Sequence, residues 1–418
     1  MGRIRDLAEG LWDGSLDPAV RHPFAPLMEI EPLGDGRTAF VSSFANATAF
    51  DTDEGLLLVD TGSFLLAKQV QVCVRSFSGA RLHTAVFTHG HVDHCFGVDL
   101  YEAEPGAGRA RVVAHERVPA RFERYRLTAG YNACINARQF RGRGEGGEWP
   151  ATFRAPDVTY ASAIDLDVGG ERFELRHAMG ETDDATWVWA PARRVLCTGD
   201  LFIWCSPNAG NPQKVQRYPR EWAQALRTMT ALPAETLCPG HGPPIFGRAR
   251  VQQALGDTAA LLESLVEQTL SVMNAGGRLE DALATVRAPE ALLARPYLRP
   301  IYDEPEFVVR NVWRLYGGWW DGDPAHLKPA RAAHLAREVA SLAGGAAKLA
   351  ARAEALAADG DLPLACHLAE AAWLAAPGDA AIARVRSDVY AKRARAETSL
   401  MARGIYSAAS KEGRSDPE

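Results

Sequence analysis

The tightest restriction on this chain is a run of six residues that holds three histidines and one aspartate, His89-Gly90-His91-Val92-Asp93-His94. The run follows an aliphatic stretch of strand length at residues 84–88, and we expect it to open a helix. His89 and His91 lie two residues apart in extended chain and therefore project to the same side. Asp93 and His94 lie past the turn, where they can face a second ion. Because zinc prefers imidazole and carboxylate ligands, the spacing predicts a metal site rather than a histidine-rich surface loop.

Charge and composition exclude several classes of partner. The 418 residues carry a net charge of -6 and no long run of basic side chains, so we expect no nucleic-acid binding. No stretch approaches the roughly 20 apolar residues that span a bilayer, and residues 1–6 do not resemble the start of a secretory signal. The seven cysteines form no CxxC pair, which is typical of free thiols in a reducing compartment. We therefore predict a cytoplasmic protein without a membrane segment.

The region from about residue 25 to residue 245 alternates short apolar runs with helical stretches. Strands are predicted at residues 38–41, 55–60, 84–88, 111–114, 187–189 and 194–197. Helices are predicted at residues 64–77 and 220–231. This alternation indicates an α/β or α+β sandwich with helices outside the sheets.

The character of the chain changes beyond residue 247, where helical periodicity replaces the strand pattern. Helices are predicted at residues 251–274, 348–357, 363–375 and 379–398. Their short connections are typical of tetratricopeptide-like pairs, although no repeat of fixed period is sustained. We predict a catalytic domain at residues 1–250, a helical domain at 251–408 and a disordered tail at 409–418. A flexible loop is predicted at residues 141–147.

The histidine run, together with Val59-Asp60-Thr61-Gly62 before it, resembles the metallo-β-lactamase fold hydrolases. This resemblance implies an αββα sandwich in which three later loops supply the remaining metal ligands. The family's bridging aspartate closes a Gly-Asp pair after a strand, and Cys197-Thr198-Gly199-Asp200 fits this pattern. Its last histidine lies in a Pro-Gly-His-Gly turn, which Pro239-Gly240-His241-Gly242 matches closely. Asp200 and His241 are therefore the ligands that the resemblance implies.

Glu181 stands where most members of that superfamily have a ligand histidine, and this departure resembles the alkyl sulfatase branch. Asp183 is a rival for the same ligand position. Residues 310–327 look like the segment that opens the alkyl sulfatase dimerisation domain, which implies a homodimer. Residues 129–133 are similar to the substrate-side segment of that branch. The resemblance covers roughly residues 30–408, and the sterol-carrier-like domain that typical members add at the C-terminus is expected to be absent.

The resemblance implies a binuclear zinc hydrolase that cleaves sulfate esters of organic alcohols, a small-molecule substrate. Two Zn²⁺ ions per chain are expected, with other divalent transition metals as alternatives. The ligands fall into two sets and a bridge: His89, His91 and Glu181 for one ion, Asp93, His94 and His241 for the other, and Asp200 between them. The ions would lower the pKa of a bridging water and supply hydroxide.

Catalytic roles are implied for four residues, Asp93, Asn132, Lys214 and Arg217. Asn132 and the two cations would clamp the sulfate, since charged donors bind tetrahedral oxyanions strongly. We expect Arg217 to be a solvated side chain on a loop, serving the substrate rather than the fold.

Three other interpretations remain open. The first is a hydrolase of the same fold that acts on carboxylic esters, lactones or thioesters, and activity measurements distinguish it. The second is a single-iron oxygenase, against which the complete set of Asp93, His94 and His241 argues. The third is a non-catalytic scaffold whose helical part binds partners, and the intact ligand set argues against it.

Overall fold

The structure is a computed structural model that describes residues 2–34, 36–140 and 149–412. The chain splits into two compact units. The first comprises Met1–Ala129 and Pro150–Gly318, and the second comprises Gly130–Trp149 and Trp319–Glu418. The predicted loop at residues 141–147 and the predicted tail beyond residue 412 lie outside the described residues.

Within its described residues the first unit contains two β-sheets. One sheet follows the chain through β1 (Glu29–Leu33), β2 (Thr38–Ser42), β3 (Ala47–Thr52), β4 (Gly55–Val59), β5 (Leu82–Val86), β6 (Arg111–His115) and β7 (Val158–Tyr160). Its pairs are antiparallel as far as β4 and parallel from there to β7. The other contains β8 (Ala163–Val168), β9 (Glu171–Ala178), β10 (Ala185–Ala190), β11 (Val195–Ile203), β12 (Thr236–His241) and β13 (Ile245–Phe246). Its spatial order is β13-β12-β11-β10-β9-β8.

Helices account for most of the remaining structure. In chain order they are α1 (Arg3–Asp13), α2 (Ala67–Phe77), α3 (Val98–Glu102), α4 (Val118–Leu127), α5 (Ala129–Gln139), α6 (Pro219–Thr230), α7 (Arg248–Asn274), α8 (Leu279–Thr285), α9 (Glu290–Leu293), α10 (Pro305–Gly317), α11 (Pro324–Leu327), α12 (Ala332–Leu342), α13 (Ala346–Asp359), α14 (Leu362–Ala375), α15 (Ala380–Ala396) and α16 (Leu400–Ala409). Among the described residues, no helix is long and apolar enough to span a bilayer.

The two sheets pack face to face across an apolar core. Phe50 of β3 and Phe173 of β9 meet edge to face, with ring centroids 5.1 Å apart. Strand β10 packs on both faces of its sheet, since alternate side chains of a strand point to opposite faces. Its Val188 packs into the core between the sheets. Trp187 and Trp189 pack instead into the cluster on the other side of the sheet.

Helices cover the outer face of each sheet. Val70 of α2 and Phe122 of α4 are buried with the outward side chains of the first sheet. Trp222 of α6, Leu255 of α7 and Val308 of α10 are buried in the cluster behind the second sheet. The predicted α+β sandwich with external helices is therefore confirmed.

The second unit is helical in its described residues. The predicted pair at residues 348–357 and 363–375 is observed as α13 and α14, which share a buried apolar cluster. α16 extends into the predicted tail as far as Ala409.

The compact units divide the chain at other points than the predicted domain boundary at residue 250. α7 begins at Arg248, and its Leu255 and Leu262 are buried with Trp222 of α6 in the first unit. Burial of this apolar face keeps α7 with the sandwich, which extends to Gly318.

Candidate metal centre

The histidine run lies in the loop that follows β5 and does not form the helix predicted there. α3 begins only at Val98. The backbone of the run pairs instead with the loop after β4, because Thr61 N–H donates to His94 O over 2.8 Å and Phe64 N–H donates to Val92 O over 3.3 Å. These bonds hold the run in turns at the end of the sheet.

Hydrogen bonds orient two of the histidine rings in this site. Asp60, which is buried after β4, accepts the Thr88 N–H at Oδ1 over 2.8 Å, and its Oδ2 lies 2.7 Å from Nδ1 of His94. His241 is held similarly, since its Nδ1 contacts the carbonyl oxygen of Phe44. With Nδ1 engaged, Nε2 is the nitrogen that each ring offers to a ligand.

Among the described residues, two groups of side chains could each hold a metal ion. Each residue offers one ligand atom, and the atoms of a group lie within 4.8 Å of one another. The first group contains His89, His91, Glu181 and Asp200, and the second contains Asp93, His94 and His241. The structure thus brings together the residues that the sequence predicts as ligands.

Asp200 lies between the two groups. Its Oδ1 is 3.4 Å from His94 Nε2, and its Oδ2 is 3.6 Å from His89 Nε2 and 3.4 Å from His241 Nε2. Gly240 on the neighbouring strand leaves room for this carboxylate, since a β-carbon there would lie 2.0 Å from Oδ1 of Asp200. One carboxylate therefore faces histidines of both groups, the position expected of a bridging ligand.

Polar atoms without partners show that the site fits a divalent cation. His89 Nε2, His94 Nε2 and Asp200 Oδ1 are buried and have no hydrogen-bond partner among the described residues. Buried polar atoms are normally paired, because leaving one unpaired costs about 1–3 kcal/mol. Nitrogen and carboxylate donors at these spacings suit a borderline ion such as zinc.

The electrostatics of the site also require positive charge. Burial and the Asp200 carboxylate raise the pKa of Glu181 well above its usual value, against the opposing effect of Arg217. Burial opposes protonation of His94, but Asp200 and Asp60 raise the pKa of its ring well above its usual value. A divalent cation bound by these donors would offset the repulsion between the carboxylates, and it would compete with protons for them.

Glu181 is buried and held by two side chains. Arg217 donates from Nη1 to the Glu181 carbonyl oxygen over 2.9 Å and from Nη2 to Oε1 over 3.1 Å. Asn208 Nδ2 also donates to Oε1, a contact that nothing in the local sequence pattern indicated. Asp183 pairs instead with Arg117 and Arg121 and belongs to neither ligand group.

The expectation that Arg217 is solvated is wrong, because the residue is only 2% exposed. Its guanidinium is occupied with Glu181 since the loop that carries it folds back over the site. Lys214 is partly buried on the same loop. Burial, with Arg217 nearby, lowers the pKa of Lys214 to about 8, while Glu181 and Asp93 favour its charge.

Two further residues extend this description. Asn132 is buried in α5, which belongs to the second compact unit, and its role at the substrate stays a prediction.

Sequence reasoning missed Asp184, which accepts the Gly90 N–H over 3.1 Å and pairs with Arg121 Nε over 2.7 Å. It holds the backbone of the histidine run, and the only sequence signal was its place in the acidic loop beside Glu181.

Comparison with known families divides the chain into two matches. Residues 42–241 match the metallo-beta-lactamase superfamily, and residues 278–416 match the alkyl sulfatase dimerisation family. The second match begins within the first compact unit, which ends at Gly318.

Curated relatives fall into two kinds. The chain is 28% identical over 322 residues to the linear primary-alkylsulfatase of a Pseudomonas strain, covering 72% of this chain and 61% of the relative. It is 25% identical to the (R)-specific secondary-alkylsulfatase of Pseudomonas sp., covering 78% and 53%. It is 22% identical to the 2,4-dinitroanisole O-demethylase subunit alpha of Nocardioides sp., covering 76% and 88%. The chain thus spans about half to three fifths of the length of the alkylsulfatases that it matches.

A solved structure shares the fold. The stereoselective inverting sec-alkylsulfatase of Pseudomonas sp. superposes with a TM-score of 0.83 at 22% identity, covering 93% of this chain and 66% of that one. The likeness confirms the predicted αββα sandwich followed by a helical domain.

Proposed function

Because one chain combines a metallo-β-lactamase superfamily domain with an alkyl sulfatase dimerisation domain, we propose that this protein is a metal-dependent hydrolase of sulfate esters of organic alcohols. The observation that carries the proposal is the convergence of two ligand groups on one buried site. Lys214 is close enough for its charge to interact with Glu181 and Asp93. The relatives named alkylsulfatases support the same substrate class.

We propose two Zn²⁺ ions per chain, one for each ligand group, with Asp200 shared between them. Bound there, the ions would supply a hydroxide nucleophile at neutral pH and polarise the ester. The protein contributes the orientation of the donors. Asp60 holds the His94 ring, and Asp184 holds the backbone of the histidine run at Gly90. Asp93 lies 3.6 Å from His241 through its Oδ2 and retains its proposed double role as ligand and catalytic residue.

Lys214 is the side chain that we assign to the sulfate group. Its positive charge neutralises an anion bound over the ligand groups, and a charged hydrogen bond is stronger than a neutral one. For Arg217, whose guanidinium bonds Glu181, we propose a role in positioning that ligand, and its predicted contact with the sulfate remains a proposal. Asn132 remains a proposed donor to a sulfate oxygen.

The likeness to an O-demethylase subunit favours a second candidate, cleavage of an activated aryl methyl ether. That relative differs from the alkylsulfatases in being matched over 88% of its length. The two candidates need the same metal ligands and differ in the need for a cation that binds the substrate, since a sulfate ester is anionic and an anisole is neutral.

A panel of substrates tests the proposal. The zinc-loaded protein is incubated with primary and secondary alkyl sulfates, an aryl sulfate, a lactone, a carboxylic ester and 2,4-dinitroanisole. Release of inorganic sulfate above the turnover of the neutral compounds is expected. Turnover of a lactone or of the anisole without sulfate release would replace the sulfatase proposal with the corresponding alternative.

Elemental analysis is expected to find about two metal ions per chain, and a value of one or below contradicts the binuclear site.

We also propose that the protein is a homodimer of the cytoplasm. The match to a dimerisation family supports the first part, and the exposed Trp319 and Leu335 of the second unit are apolar side chains that a subunit interface would cover. Sedimentation at micromolar concentration checks this, and a monomer would contradict it.

A further inference from the structure

Sequence patterns predict neither a helix nor a strand for the loop of residues 204–218, which lies between β11 and α6. It carries Asn208 and Arg217, which both bond Oε1 of Glu181, and Lys214, whose charge interacts with Glu181. The loop has no regular secondary structure, so its shape depends on bonds to other elements. The segment of residues 299–311, which enters α10, supplies them.

Asp303 binds the middle of this loop. Its Oδ2 accepts the Gly210 N–H over 2.7 Å and the Asn211 N–H over 3.1 Å, and its side chain is fully buried. The approach is so close that a β-carbon on Gly210 would lie 2.4 Å from the backbone of Phe307. Asn211 has a φ of 25°, in the left-handed region that asparagine tolerates better than most residues. One carboxylate therefore fixes the loop where it turns.

Asn311 binds the end of the loop. Its Nδ2 donates to the carbonyl oxygen of Arg217 over 3.0 Å, and its Oδ1 accepts from Gln216 Nε2 over 2.9 Å. Arg314, one turn further along α10, donates to Gln216 Oε1 over 2.9 Å. The side chain of Asn311 is buried, so its bond to the carbonyl oxygen of Arg217 is shielded from water.

These contacts form a continuous connection to the metal ligands, since Arg217 in turn bonds both the carbonyl and the carboxylate of Glu181. We propose that Asn311 and Asp303 are positioning residues for the metal centre: they fix Arg217, and through Arg217 they fix the Glu181 carboxylate in the first ligand group. This proposal rests on the metal site of the proposed function, but not on the identity of the substrate.

The position of Asp303 and Asn311 gives a second role to part of the segment that matches the dimerisation family. Residues 278–416 match the dimerisation family, yet Asp303 and Asn311 belong to the compact unit of the sandwich. Side chains that orient a ligand commonly change metal affinity by 10–100-fold when removed. Asn311 acts one step further away, so we expect an effect near ~10-fold.

The test uses the full chain with three substitutions on α10. Asn311→Ala removes the three side-chain hydrogen bonds to Gln216 and Arg217. Asn311→Asp keeps the size and the acceptor but removes the N–H donated to Arg217. Arg310→Ala is the matched control, because Arg310 is half exposed and its one ion pair among the described residues is with Glu306 on the same helix. Zinc affinity is measured by chelator competition, and the cobalt-substituted protein gives an absorption spectrum that reports ligand geometry.

The expected result is zinc binding weaker by ~10-fold in Asn311→Ala, with a smaller loss in Asn311→Asp and none in Arg310→Ala. The cobalt spectrum should change in the first two variants. Affinity and spectrum equal to wild type in a folded Asn311 variant would overturn the proposal, and Asn311→Asp decides the matter where Asn311→Ala does not fold. Since neither readout needs a substrate, an absence of sulfatase activity would count against the proposed function alone.

Discussion

Two loops beside the metal centre are stabilised in different ways. The loop after β5 carries four candidate ligands within six residues, and Asp60, at the end of the adjacent strand, binds it directly. The loop of residues 204–218 is bound by Asp303 and Asn311, which lie 93 and 94 residues beyond their partners Gly210 and Arg217. The first loop supplies metal ligands, and the second positions one ligand and offers charge to a substrate.

Because of this difference, substitutions in the two loops should impair metal binding in different ways. Loss of a ligand removes the metal ion itself, whereas loss of a support leaves the donors present but less well oriented. The largest effect is expected at the residue that both ligand groups share.

Asp200→Ala should abolish activity and remove most bound metal, because the carboxylate faces histidines of both groups. We expect a loss of kcat/KM above ~10³-fold, beyond that found when one transition-state donor is deleted. Elemental analysis and steady-state kinetics check this. If the variant kept two ions, the two groups would be independent sites and Asp200 would not be a bridge.

Arg217→Ala should destabilise the protein as well as the site. Removal of the guanidinium leaves the buried carbonyl oxygen and Oε1 of Glu181 without the two hydrogen bonds that Arg217 donates, and a buried polar group left unpaired costs about 1–3 kcal/mol. Urea unfolding of the metal-free protein measures this change, and chelator competition measures the accompanying fall in zinc affinity. Arg217→Lys is the control, since it keeps the charge but cannot make the two hydrogen bonds together. A fully stable Arg217→Ala variant that lost only sulfate binding would restore the role predicted from sequence.

The same contrast explains what the sequence could predict. Spacing within the chain predicts the ligands of the histidine run, and the alternation of strands and helices predicts the sandwich. Asp200 and His241 were implied instead by the resemblance to the metallo-β-lactamase fold hydrolases. The run was wrongly expected to open a helix because its backbone bonds go to the loop after β4, a long-range pairing that periodicity does not contain.

Arg217 was predicted as a solvated cation for a related reason. A single arginine on a loop rich in polar residues gives no sign of burial, which arises only when the loop packs against α10 and the Glu181 segment. Asn208, Asp184 and Asp303 were missed because an isolated polar residue has no local pattern. Residues that position a ligand from a distant part of the chain are identified only from tertiary contacts, whereas ligands clustered in one segment can be predicted from their spacing.

A smaller effect is expected for the pH dependence of substrate binding. Burial and Arg217 lower the pKa of Lys214 from 10.5 to about 8. A lysine is charged below its pKa, so the cation is present below pH 8 and is lost as the pH rises further. The KM for a sulfate ester should therefore rise above pH 8, by about 10-fold if one charged hydrogen bond is lost. Lys214→Arg should flatten this rise, and a neutral substrate such as 2,4-dinitroanisole should not show it. An unchanged KM up to pH 10 would mean that Lys214 does not bind the anion.

Asp183→Ala should have the smallest effect, although Asp183 is only two residues from Glu181. Its side chain is 34% exposed, lies 3.3 Å from Arg117 and also contacts Arg121, which keeps its bond to Asp184 when Asp183 is removed. The pair with the exposed Arg117 contributes about 0–1 kcal/mol, and the lost bond to the buried Arg121 adds about 1 kcal/mol, so the free energy of unfolding should fall by about 1–2 kcal/mol. Metal content should equal that of wild type, because no oxygen of Asp183 lies within either ligand group. Glu181→Ala, measured beside it, should lose metal from the first group. If Asp183→Ala lost metal while Glu181→Ala retained it, Asp183 would be the ligand, and the connection from α10 through Arg217 would end at a residue that binds no ion.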